Sequence, residues 1–150
     1  MNYEEHLKNL RTLYYESYPE QRLHVAKQRI ENSAHGPNQI IAYVSAIEGM
    51  LRSLVIWGET ITGKPSKKTY EKYEHCSINE LFAKYLEQRG TESKDVVTDS
   101  TYTLVRYAVK YRNLLAHECT YLGQDRYPDL IDACETFLQR LANHASIIER

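Results

Sequence analysis

The chain is short of several things, and each shortage removes a class of answer. Its 150 residues hold only three cysteines, Cys76, Cys119 and Cys134. They are too few and too scattered for a disulfide framework, and none forms the C-x-x-C pair of a structural zinc site. A reducing, cytoplasmic setting is the expectation. Net charge is nearly absent, at −1. Composition therefore gives no global pull toward a polyanion, and any nucleic-acid contact must come from a local patch. The opening "MNYEEHLKNL" has no apolar signal core. The most apolar stretch, Ile40 to Trp57, is broken by Glu48 and Arg52, which argues against a membrane span. Phe and Trp are scarce, at two and one, whereas Tyr numbers 13. Tyrosine suits places where a ring is buried and its hydroxyl meets water or a partner, so wet interfaces are expected.

What the chain has is helical periodicity. With 42% hydrophobic and 26% charged residues, and the length of one domain, it can bury a core without staples. Leu7, Leu10 and Tyr14 mark a helix over 3–17, and Pro19 opens a second that runs to about Asn32. "HGPN" (35–38) reads as a turn. Ile40, Val44, Ile47, Leu51, Leu54, Gly58 and Ile61 then repeat at alternating four and three, one apolar seam ending near Gly63. "KPSKK" (64–68) reads as a polar, basic loop. Ser77 and Glu80 form a capping box that opens a helix ending at Gly90. "TESKDVVTDS" (91–100) reads as a loop, a helix follows from about 100 to 117, and "YLGQDRYP" turns into a last helix. That helix carries Leu130, Cys134, Phe137, Leu141 and Ile148 on one face. Only "DVVTDS" alternates like a strand, and it is too short and polar to count. The expectation is one all-α bundle of five to six helices over residues 1–150.

The motif that carries chemistry is "RNLLAH" (112–117). Arg followed, five residues on, by His is common by chance; a looser spacing also matches Arg29 and His35. Requiring Asn directly after the Arg lowers the chance expectation to about 0.02 occurrences in a shuffled chain of this composition. Arg-Asn-x-x-x-His on a helix resembles the signature of HEPN domains, helical bundles whose motif lies late in the chain and is followed by a last helix. The resemblance implies a metal-independent, homodimeric endoribonuclease with no cofactor, often of toxin–antitoxin or antiviral defence systems. Other members of that family bind RNA, nucleotide or a protein partner without cutting. In some toxins of the family a Tyr two residues beyond the motif His is modified by the antitoxin. Here that position is Cys119, which speaks against that mode of neutralisation, though not against an antitoxin protein as such.

Helix geometry adds to this. Arg112 and His117 lie about 140° apart around a straight helix, whereas Asn113 and His117 are about 40° apart. Asn113 is thus expected to hold the imidazole while Arg112 points elsewhere. A shared phosphate would need either local unwinding or a second subunit across a two-fold axis. Tyr102, Arg106, Lys110, Asn113 and His117 share one stripe, where the cations suit phosphates and the tyrosine suits a base. Leu104, Ala108, Tyr111 and Leu115 are the expected core face. His117 would move protons and Arg112 would stabilise phosphoryl charge as an RNA 2′-OH attacks its neighbouring phosphate. The bland alternatives are a helix-end histidine, a surface arginine and a solvated charged face. For Glu48 an i,i+4 pair with Arg52 is the first expectation, and a buried partner for a motif arginine the second. Glu118 is expected to face solvent. No metal site is expected.

Overall fold

The computed structural model describes residues 2–33, 37–117 and 127–147. Among these residues the chain is all-helical, with eight helices rather than five to six: α1 (Tyr3–Glu16), α2 (Pro19–Glu31), α3 (Pro37–Thr60), α4 (Ser66–Tyr73), α5 (Ile78–Arg89), α6 (Ser93–Val96), α7 (Asp99–His117) and α8 (Tyr127–His144). The six expected helices are all present. The two extra ones, α4 and α6, lie in stretches read as loops. Each is too short for periodicity to register: α4 buries only Thr69 and Tyr73, one turn apart, and α6 is four residues anchored by Val96.

Helix α3 is the axis of the bundle and packs against α2, α4, α5, α7 and α8. Ile40, Val44, Ile47, Leu51 and Val55 are fully buried, and Tyr43, Ala46 and Met50 close the other sides. A helix apolar nearly all round belongs inside a bundle. By length and composition alone it would also cross a membrane, yet 67% of its apolar window is buried within the protein. Its seam ends one turn earlier than the sequence suggests. Ile61 is 64% exposed, because the chain leaves the helix at Thr60 and reverses through Gly63 at φ 100°. At the other end Pro37 and Asn38, read as part of a turn, are already helical.

Two buried groups fasten α3 to its neighbours. The Tyr73 hydroxyl donates to Glu59 Oε1 at 2.7 Å, and Lys72 and Lys64 stand 3.7 and 3.8 Å from the same oxygen. Burial alone would push the Glu59 carboxyl up, but the Tyr73 bond and the two lysines together hold it below its ordinary value. Around α5 the capping box forms as read: Ser77 Oγ accepts from Glu80 N at 3.2 Å. Gly90 closes the same helix at φ 60°, a left-handed cap that a side chain would strain. Phe82 meets Phe137 edge-on at 5.2 Å, joining α5 to α8.

Helix α1 is the exception. It buries no residue; Leu7 and Leu10 are 44% and 49% exposed. Of its expected seam, Tyr14 docks on the body, donating its hydroxyl to the Gly49 carbonyl at 2.6 Å.

Candidate functional site

The motif helix α7 lies against α3 and α8. Its inner face keeps Ala108, Tyr111 and Leu115 of the four expected residues and takes Val105 in place of Leu104. Val105 and Ala108 are fully buried, Tyr111 and Leu115 are half-buried, and Leu104 is 37% exposed. Val105 and Arg112 are two turns apart on one line, so Arg112 also lies on the inner side, toward α3.

There Arg112 meets Glu48. Its Nη1 and Nη2 both donate to Glu48 Oε2 at 3.3 Å, and its Nε donates to Asn113 Oδ1 at 3.0 Å. The other carboxylate oxygen, Oε1, accepts from Arg52 Nη2 at 3.1 Å. Arg52 in turn donates to the Tyr73 and Cys76 carbonyls at 3.0 and 3.2 Å, where α4 ends and free carbonyls collect. One carboxylate therefore holds two guanidiniums, leaving the triad with one net positive charge. Glu48 makes the i,i+4 pair with Arg52 and also holds the motif arginine, from a half-buried rather than a buried position, because a carboxylate has two oxygens to give.

The consequence for Arg112 is orientation. A guanidinium has five N–H groups, and three are used here. Two remain, on a side chain that is 20% exposed. Asn113 differs from the expectation: its carbonyl oxygen accepts from Arg112 rather than from the imidazole. His117, the last residue of α7, is exposed and has no hydrogen-bond partner among the described residues. Arg112 and His117 thus face different ways on one helix, and the fold does not bring them together within a chain. Glu118 and Cys119 lie outside the described residues, as does most of the "YLGQDRYP" turn.

Arg106 and Lys110 are exposed, in line with Asn113 and His117. Tyr102 departs from that stripe. Its ring tilts against Phe82 at 5.1 Å and Phe137 at 5.8 Å, and its hydroxyl donates to Asn79 Oδ1. Burial pushes this phenol up, with Arg106 acting in the opposite direction. The exposed aromatic of this surface is Tyr107, at 50%, with Lys110 Nζ 5.2 Å above its ring. Its i,i+3 spacing from Lys110 was the available signal. Leu114, 40% exposed, lies beside it two turns on. Among the described residues no three His, Cys, Asp or Glu side chains are grouped to share a metal ion.

Comparison with protein-family models, with curated proteins and with solved structures gave no match.

Proposed function

We propose that the chain is a HEPN-type, metal-independent endoribonuclease that acts as a cytoplasmic homodimer in a toxin–antitoxin or antiviral defence role. The observation that carries this reading is the oriented Arg112. A guanidinium fixed by Glu48 and Asn113 retains two N–H groups for a phosphoryl oxygen, on the helix that ends in an exposed His117. In the reaction the RNA 2′-oxygen bonds to phosphorus while the bond from phosphorus to the 5′-oxygen breaks. His117 takes the proton of the 2′-OH or returns one to the departing 5′-oxygen. Arg112 stabilises charge on the non-bridging oxygens. The exposed Arg106 and Lys110 hold the flanking backbone. The products end in a 2′,3′-cyclic phosphate and a 5′-OH.

A second reading rests on the same ion pair. Glu48 already neutralises one edge of Arg112, so a phosphate competes with a fixed carboxylate for that group. This favours a module that binds RNA, nucleotide or a protein partner and cuts nothing.

The test is cleavage of an RNA panel in EDTA by the wild type, Arg112→Ala and His117→Ala. The enzyme reading expects cyclic-phosphate ends from the wild type and none from either variant. A folded wild type that leaves the panel intact hands the site to the binding reading. Equal cleavage by wild type and variants ends the assignment of Arg112 and His117.

A further inference from the structure

The α7 site leaves two features of the sequence unused: the tyrosine excess and the basic stretch at 64–68. They meet between α1 and α4. A cleft of about 270 Å³ is walled there by Tyr14, Tyr15, Tyr18 and Trp57. The Tyr18 and Trp57 rings stand 5.2 Å apart at 83°, forming a corner. Thr60 and Ser66 also line this cleft. Among the described residues the one charged group on the cleft wall is Glu16, so an anionic group does not belong inside it.

A second cleft, of about 310 Å³, adjoins the first through Tyr15 and is lined by Lys8, Arg11 and Lys67. Tyr70 packs against Tyr15 there at 5.5 Å, tilted by 32°. Glu71 and Glu74 also line it, and Glu74 lies 4.0 Å from Arg11. Lys8 and Lys67 are exposed and have no ion pair among the described residues. Three cations against two carboxylates leave one positive charge.

We infer that this face seats a nucleotide, its base in the aromatic cleft and its phosphate over Lys8, Arg11 and Lys67. A base offers its π-face to the Tyr and Trp rings of the cleft. With Glu16 on the adjoining wall the joined face carries three cations and three carboxylates, so Lys8 and Lys67, without an ion pair among the described residues, suit one phosphate or phosphodiester rather than a triphosphate. Each cleft alone is at or below the small end of ligand sites, and joined they fit a nucleotide unit. The nucleotide comes either free or as one unit of a single-stranded RNA. The inference requires neither Arg112 nor His117.

Trp57 is the only tryptophan, so its fluorescence reports on this cleft alone. The probes are AMP, adenosine and a 2′-O-methyl adenosine hexanucleotide, which lacks the 2′-OH and cannot be cut by its attack. A saturable change with AMP, weaker with adenosine, assigns a free-nucleotide site. A saturable change with the hexanucleotide alone assigns a strand track. In either case the exposed double variant Lys8→Glu/Lys67→Glu binds roughly tenfold more weakly. No saturable change with either AMP or the hexanucleotide overturns the inference, and so does unchanged affinity in the double variant. Because the hexanucleotide resists cleavage, this result is read separately from the EDTA assay, and either can fail without the other.

Discussion

Glu48 sits at the junction of two arginines, and removing it leaves two half-buried guanidiniums facing each other. Breaking such a group is costlier than its favourable energy suggests, because the remaining charges lose their partner. Partial exposure screens part of that cost, so Glu48→Ala is expected to destabilise the fold by about 2 kcal/mol. Glu48→Gln, which keeps one acceptor but no charge, should fall between. Urea unfolding midpoints at unchanged slope measure this. A Glu48→Ala midpoint equal to wild type would show that the triad contributes nothing.

Glu59 gives a prediction in pH. Its folded-state carboxyl is held below its ordinary value of 4.5, so the folded protein binds that proton less readily than the unfolded chain. The stabilisation is present above the ordinary value and is lost as pH falls through the lower folded one. Tyr73 has the opposite sense. Burial and its bond to Glu59 raise its phenol, so its contribution is present at neutral pH and is lost only in strong alkali. Wild-type stability should therefore drop as pH falls below that 4.5, and Glu59→Gln should flatten that slope. Midpoints that fall equally in both proteins over this range would remove Glu59 from the acid response.

At the scale of elements, α5 was legible because its signals are local. A capping box and a terminal Gly fix both ends within the helix's own sequence, and Ser77→Ala should cost about 1 kcal/mol by thermal or urea unfolding. Helix α4 was not legible, since its anchor Tyr73 is explained only by Glu59 on α3. In α7 the inner positions Ala108, Tyr111 and Leu115 were legible, but the choice between 104 and 105 was not, for a related reason. Leu104 and Val105 are both apolar neighbours, and a helical pattern fits either as the inner residue. Packing against the bundle selects Val105. This sets the expected contrast: Val105→Ala costs about 2 kcal/mol, whereas Leu104→Ala stays within about 0.5 kcal/mol. The reverse order of urea midpoints would restore the face inferred from periodicity. The contrast matters for the site, because Val105 shares a line of the helix with Arg112, which meets Glu48. The Arg-Asn-x-x-x-His spacing marked the residues, but their partner lies 64 positions earlier in sequence, beyond any local pattern.

At the scale of the molecule, the difficulty is that Arg112 is held against α3 while His117 is exposed at the end of α7. One helix cannot aim both at one phosphate without unwinding; two helices facing across a two-fold axis can. On the proposed reading each site then takes Arg112 from one protomer and His117 from the other. Complementation distinguishes this from a site built within one chain. Arg112→Ala and His117→Ala, each inactive alone, should regain cleavage when unfolded together and refolded as mixed dimers. A mixed dimer keeps one intact site of two, pairing His117 of the first variant with Arg112 of the second. With random pairing half the dimers are mixed, so about a quarter of wild-type activity should return. If both residues of a site came from one chain, neither protomer of the mixed dimer would supply a complete pair. No activity would return, and the unwound single-chain arrangement would take the place of the two-fold one.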